Sequence, residues 1–349
     1  MTQTHKMLAN PIFNPSGNDE VGKRTIIKWN TTGLFQLNAT KYTWAKSMYQ
    51  VMIWNFWIPE KVSGLGEDAV QFKNTLSEDE RRAYKWILSF LIFLDSIQTV
   101  NLPNFNDYIT APEVNLILSI QAYQEAIHSQ SYATILETVV DSKDRDRIYY
   151  FWREDKNLLE RNKFIGGIYQ KFIDNPTDKN FFAGIIANFL LESIYFYNWF
   201  AFFDTLADQT KMVATDRMIN YIRRDELTHV TIFANIIKEI KKEFPEIYDE
   251  KMILDMMGVA VDQEIKWSKH ILGKNIIGMS HINIENYTKW LANNRLSMLW
   301  ISPLYPDIIT NPYKHLDRLQ DNNSEKWNFF ESTVTNYSQS SSMNGSWDF

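Results

Sequence analysis

Residues Asn188–Trp199 read NFLLESIYFYNW and form the centre of a run, Phe181–Phe203, that is almost entirely apolar and aromatic. Glu192 is the only charged residue in this run. A helix over the run would be about 35 Å long, enough to cross a bilayer. The flanks lack a one-sided cluster of lysine and arginine, which favours a helix buried in a large helical bundle. Because a buried, unpartnered carboxylate is costly, Glu192 must be protonated, paired or bound to a metal ion.

The composition of the chain excludes several classes of protein. Its 349 residues are enough for one large core, and they include no cysteine, which excludes disulfides, thiolate metal sites and a cysteine nucleophile. The net charge of −6 gives no reason to expect nucleic acid as a partner. The N-terminus, MTQTHKMLANPIF, does not have the pattern of a signal peptide. We therefore expect a cytoplasmic protein that binds neither nucleic acid nor a membrane.

The pattern of apolar residues predicts an all-α chain, since no segment alternates as a half-buried strand would. Two capping boxes are predicted at helix N-termini, one from Ser77 and Glu80 and one from Thr110 and Glu113. Long helices are expected over about 39–57, 77–100, 110–140, 179–206, 211–243, 248–272 and 284–300, with two shorter helices before Asp178.

The composition along the chain predicts three parts. Residues 1–36 are polar and mixed, and we expect an irregular N-terminal arm. Residues 37–320 contain all the expected helices. Residues 321–349 end in a segment rich in serine and asparagine, and are predicted to be a flexible tail.

The pattern Glu-x-x-His occurs twice, as EAIH (Glu125 and His128) and as ELTH (Glu226 and His229). Residues three apart on a helix share one face, so each pair offers a carboxylate and an imidazole to one metal ion. A single pair is weak support for a metal site, because surface helices carry this pattern by chance. Two pairs are suggestive.

A lone acid in an apolar helical run precedes each pair. Asp95, in FLIFLDSIQ, precedes EAIH, and Glu192 precedes ELTH. This repeated order is that of ferritin-like dimetal proteins, and its donor set suits iron or manganese. Four carboxylates also balance the charge of two divalent ions, which lowers the cost of burial. The alternative is that buried hydrogen bonds satisfy the lone acids and that both pairs are accidental. We predict a ferritin-like helical bundle that encloses a dinuclear metal site, with six ligands: Asp95, Glu125, His128, Glu192, Glu226 and His229.

Tyr132 lies on the same helical face as Glu125 and His128, and is therefore expected beside the metals. A tyrosine next to an oxygen-activating dimetal centre can lose an electron and a proton to become a phenoxyl radical. Such a radical persists only where water is excluded. Helical spacing places four apolar residues where they could wall the pocket: Phe196, Phe200, Ile219 and Ile222. An ordinary core tyrosine with a satisfied hydroxyl is the alternative.

Four segments, LDSIQ, EAIHSQSY, LLESIYFY and RRDELTH, resemble in order and spacing the small, or beta, subunit of class I ribonucleotide reductase. The resemblance covers about residues 35–300 and the character of the tail. It implies that the six ligands bind two metals and that Tyr132 stores a radical. It also implies a radical-transfer chain in which Asp225 links Trp57, from NFWIPEKV, to His128.

The resemblance further implies that this chain makes the radical, with oxygen or superoxide as oxidant, for a large subunit that reduces ribonucleotides. A homodimer is expected, with the large subunit docked by the tail, which carries Tyr337 and ends in SWDF. An iron pair is favoured, and a manganese pair or mixed pair is the alternative. The ending resembles the manganese branch, which uses a flavodoxin-like activator. Other functions left open are a dimetal oxidase or monooxygenase with its own substrate, and a metal-storage bundle.

Overall fold

The computed structural model describes residues 6–273 and 275–316 as a bundle of α-helices. Within these ranges the only strand-like pairing is two isolated bridges, which confirms the all-α prediction. The predicted tail and Tyr337 lie outside the described residues. The helices are α1 Thr43–Trp54, α2 Leu65–Asn74, α3 Glu78–Asn106, α4 Pro112–Val139, α5 Ser142–Glu154, α6 Lys156–Asp174, α7 Asp178–Leu190, α8 Tyr197–Asp208, α9 Val213–Glu243, α10 Glu250–Leu272 and α11 His281–Met298.

Four segments position the site: α3, α4, α9 and the stretch that runs from α7 to α8. The helices α3 and α4 pack along each other, and α9 packs against α4, α7 and α8. The stretch Asp178–Asp208 is apolar and long enough to span a membrane, but its most apolar window is 94% buried in the protein. A second such window, in α3, is 61% buried. Burial confirms that the run around Glu192 is the core of the bundle.

A π-helical turn, Leu191–Tyr195, interrupts the helix that the sequence predicts over 179–206. All five residues of this turn are buried, and Glu192 is the second of them. A π-turn inserts one extra residue into a helical turn, so it changes the direction in which the following side chains point. Because the run is apolar on all sides, a regular helix and a helix with a π-turn have the same sequence pattern. The sequence therefore did not reveal the turn.

The capping box predicted at the start of α3 is present, whereas the prediction of a second capping box at the start of α4 is wrong. Ser77 Oγ accepts a hydrogen bond from the Glu80 amide, and Glu80 Oε2 accepts one from the Ser77 amide. At α4, the helix begins at Pro112, and its N-cap residue makes no side-chain bond. Glu113 instead accepts hydrogen bonds from Arg24 and from two backbone amides ahead of α1.

That contact explains how the irregular N-terminal arm is held. The Arg24–Glu113 ion pair spans 2.9 Å, and its side chains are 1% and 2% exposed. Ile26 and Ile27 beside it are fully buried. The described part of the arm, residues 6–36, contains no helix, and its end packs into the core of the helical domain.

The helix α1 ends at Trp54, three residues earlier than predicted. Ile58 has an extended backbone, as expected for a residue that precedes proline, and a short 3-10 turn begins at Pro59. Trp57 therefore lies on the connection that follows α1, where its indole ring turns towards α9.

Candidate metal centre

All six predicted ligands are completely buried, and the bundle brings them together. Asp95 comes from α3, Glu125 and His128 from α4, Glu192 from the π-turn, and Glu226 and His229 from α9. They form two overlapping groups. The Asp95 half contains Asp95, Glu125, His128 and Glu226, and the Glu192 half contains Glu125, Glu192, Glu226 and His229. Within each half the candidate ligand atoms lie within 4.8 Å of one another.

The donor atoms at the centre suit metal ions. Both oxygens of Asp95, Glu192 Oε2 and Glu226 Oε1 are buried without a hydrogen-bond partner among the described residues. His128 Nδ1 lies 3.1 Å from Glu226 Oε1, and His229 Nδ1 lies 3.2 Å from Glu125 Oε1. Buried polar atoms are normally satisfied, so this many open ligand atoms at one point fit a bound cation. Carboxylate and imidazole donors are those that iron and manganese prefer.

The protein without metal must keep this cluster neutral with protons. Burial, followed by the charge of Glu125, raises the pKa of Asp95 and of Glu192 well above the usual carboxyl range. Burial opposes the charged form of His128, yet the charge of Glu226 raises its pKa well above the usual imidazole value. Divalent ions would replace these protons, because they supply the same positive charge and also bind the open oxygens.

Asp225 joins His128 to Trp57. Asp225 Oδ2 accepts a hydrogen bond from Trp57 Nε1 at 2.8 Å and lies 3.3 Å from His128 Nε2. The outer face of the Trp57 ring stacks on Tyr221, with centroids 5.2 Å apart. Trp57 and Tyr221 also line a surface depression of about 360 Å³, together with Lys61 and Arg217. The residues His128, Asp225 and Trp57 thus lead from the buried centre to the surface.

Tyr132 is fully buried one helical turn beyond His128, and its hydroxyl lies beside the Asp95 carboxylate. Burial and the charge of Asp95 raise the pKa of this phenol well above its ordinary value. The proposed pocket residues, Phe196, Phe200, Ile219 and Ile222, are each at most 1% exposed. The rings of Phe196 and Phe200 stack with centroids 6.0 Å apart. That the four enclose Tyr132 stays a prediction.

Three buried glutamines that were not predicted from the sequence lie beside the Glu192 half. Gln98 and Gln121 both donate to Glu192 Oε1, and Gln124 Oε1 lies 3.0 Å from His229 Nε2. The Tyr169 hydroxyl, in turn, donates to Gln98 Oε1 at 3.1 Å. Gln98 lies three residues after Asp95, and Gln121 lies four residues before Glu125; these shared helical faces were the available signals. No spacing rule indicates the contact between Gln124 and His229, because the two residues lie on different helices.

A model of the family "Ribonucleotide reductase, small chain" matches residues 34–312 of this chain. The chain is 42% identical to the beta subunit of ribonucleoside-diphosphate reductase from Treponema pallidum, and the match covers 95% of both chains. It is similar to a solved ribonucleotide reductase R2 subunit from Clostridium botulinum, with 47% identity and a TM-score of 0.87 over 90% of this chain and 99% of that one.

A third similarity concerns the fold alone. The X-ray structure of dimanganese(II)-NrdF from Streptococcus sanguinis has a TM-score of 0.71 to this chain, and it covers 81% of this chain and 99% of that one. Its sequence identity to this chain is 21%. This third match agrees with the ferritin-like bundle predicted from the sequence.

Proposed function

This chain belongs to the ribonucleotide reductase small-chain family, and from that premise we propose which of its residues hold the metals, store the radical and pass it on. The chain is the radical-generating small subunit of ribonucleoside-diphosphate reductase, which works with a separate large subunit. The proposal rests on one observation above all. Two buried acid–histidine groups share Glu125 and Glu226 and lie beside a buried tyrosine, Tyr132.

The six buried donors would hold a dinuclear metal centre, with Glu125 and Glu226 common to both halves. When bound, two such ions supply the one-electron chemistry that removes an electron from a nearby phenol. The protein contributes a dry, closed environment, because all six donors and Tyr132 are inaccessible to solvent. Exclusion of water protects a phenoxyl radical from reduction.

Oxidation of Tyr132 removes one electron and one proton. We assign the proton to the Asp95 carboxylate, which lies within hydrogen-bonding reach of the phenol and whose charge raises the pKa of the phenol. The metal ions, when bound, would supply the oxidant that takes the electron. Return of both restores the tyrosine, so the residue stores the oxidising equivalent until it is passed on.

The proposed exit route runs through Asp225 and Trp57. Asp225 holds the Nε2 side of His128 and the indole N–H of Trp57 with a single oxygen, so one carboxylate orients both rings. An indole can give up an electron and a proton. Asp225 Oδ2, which accepts the indole N–H, provides a place for that proton.

Trp57→Phe should stop nucleotide reduction while leaving the radical on Tyr132 intact. Phenylalanine preserves much of the ring packing but cannot donate to Asp225 or be oxidised as readily as indole. The measurement is turnover with the large subunit, beside the radical yield by electron paramagnetic resonance. Trp54→Phe is the matched control, since Trp54 is 79% exposed and should reduce nucleotides normally. Substantial turnover by Trp57→Phe would remove this residue from the route.

Iron is the proposed metal pair, with a manganese pair or a mixed pair as the alternative, because carboxylates and imidazoles serve both metals. A manganese centre would involve a flavodoxin-like activator. Metal analysis of the chain purified from its native host, without added metal, distinguishes these forms. Reconstitution tests the function itself: metal-loaded protein exposed to air should form a phenoxyl radical and support nucleotide reduction. Metal uptake without radical would indicate a storage bundle or an oxidase instead.

A homodimer in the cytoplasm is the proposed assembly, with residues 321–349 docking the large subunit. These residues lie beyond the described part of the chain, so the proposal rests on their sequence and on the family. Deleting Asn344–Phe349 removes the aromatic residues Trp347 and Phe349, and should weaken large-subunit binding while leaving the metals and the Tyr132 radical unchanged. Tyr337→Phe should keep binding and stop turnover. Affinity and turnover, measured for both variants, separate docking from relay, and normal binding by the truncated chain would refute the docking role.

A further inference from the structure

The two histidines of the centre have different outer partners. His128 Nε2 faces the Asp225 carboxylate at 3.3 Å, whereas His229 Nε2 faces the Gln124 amide oxygen at 3.0 Å. A carboxylate behind a ligating imidazole raises its basicity and strengthens its bond to a metal. A neutral amide orients the ring but adds no charge. His128 is therefore the stronger donor of the two.

The two lone acids also differ in how strongly they can bind a metal ion, and Asp95 is the stronger ligand. Glu192 Oε1 accepts hydrogen bonds from Gln98 and Gln121, so one of its oxygens is already occupied. Asp95 accepts no such amide hydrogen bond in the described ranges, and its hydroxyl neighbour is Tyr132. Two amide donors withdraw negative charge from Glu192, and leave only Oε2 open to an ion. Asp95 offers both oxygens and its full charge.

The arginines near the centre do not reverse this difference. Arg295 donates from Nε to the carbonyl oxygen of Ser193 at 3.5 Å, and makes no ion pair with an acid of the centre. On the other side, Arg224 Nε lies 3.8 Å from Asp225 Oδ1, but that arginine side chain is 31% exposed and screened by solvent. The oxygen of Asp225 that faces His128 is Oδ2. The Glu192 half therefore attracts a cation less strongly than the Asp95 half.

We propose that Gln98, Gln121 and Gln124 make the two halves of the centre unequal, so that metal fills the Asp95 half first and the Glu192 half second. The inference rests on the proposed dinuclear centre. The effect of an outer partner on metal affinity is typically about 10–100-fold, and we expect a difference of that size between the halves.

The test is a titration of the metal-free protein with Mn(II), followed by electron paramagnetic resonance. An isolated Mn(II) ion and a coupled pair give different signals. With one ion added per chain, equal and independent halves would leave about half of the chains with a single ion. A difference of about 10–100-fold raises that fraction to about two thirds to four fifths.

Two substitutions identify which half fills first. Gln124→Glu places a carboxylate behind His229, as Asp225 lies behind His128. It should tighten the second binding step about 10–100-fold and leave the first step unchanged. Asp225→Asn should weaken the first step by a similar factor. Ala126→Glu is the matched control: it adds the same charge to α4 at an exposed position, and should change neither step measurably.

The outcomes separate this inference from the proposed function. Two ions that bind with equal affinity, or a Gln124→Glu variant that tightens the first step, would overturn the order while leaving a dinuclear centre. An unchanged second step in Gln124→Glu would also overturn it, provided that circular dichroism shows a folded variant. A chain that binds fewer than two ions would instead contradict the proposed function.

Discussion

Tyr132→Phe is expected to abolish the phenoxyl radical and nucleotide reduction while both metal ions remain bound. The substitution removes one hydroxyl group and adds no atom, so the core should accept phenylalanine with little strain. The ring without its hydroxyl cannot lose the phenolic proton. Metal content, the radical signal and turnover with the large subunit should be measured on the same preparation.

Tyr84→Phe is the matched control for this prediction. Tyr84 is also fully buried, and its hydroxyl makes a 2.9 Å hydrogen bond with Thr215, away from the metal ligands. Its loss should lower stability by about 1 kcal/mol and leave the radical unchanged. A radical of undiminished yield in Tyr132→Phe would show that the oxidising equivalent resides on another residue or on the metals.

Glu192→Ala should remove one of the two metal ions and the radical with it. Glu192 provides the lone carboxylate of the Glu192 half, and a direct ligand should matter more than an outer partner. We therefore expect the affinity of that half to fall by more than about 100-fold, while the Asp95 half keeps its ion. Metal content per chain and the rise in melting temperature on metal addition measure the two effects.

Glu192→Gln is the comparison that separates shape from charge. Glutamine fills the same space, and its oxygen accepts from Gln98 and Gln121, but it carries no negative charge. It should lose much of the metal affinity without leaving a cavity, whereas alanine should lose affinity and also pack less well. Full metal occupancy and a normal radical yield in Glu192→Ala would refute its assignment as a ligand.

Local sequence patterns were sufficient for much of the fold and for the proposed ligands. Each Glu-x-x-His pair lies on one helical face whatever the rest of the chain does, because that spacing depends only on helix geometry. The lone acids Asp95 and Glu192 stood out because apolar runs rarely contain a charge. The Ser77–Glu80 capping box formed because both partners lie in the same turn.

Contacts between segments distant in sequence were decided by the tertiary structure. Glu113 was expected to cap its own helix, but Arg24, remote in sequence, binds it in a buried ion pair. The π-turn at Leu191–Tyr195 and the contact between Gln124 and His229 likewise have no local signature. The spacing along one helix is set by its own backbone, so the sequence alone determined which residues share a face. The rotation and depth of each helix depend on how all the side chains pack together, so only the tertiary structure decided which of those faces meet.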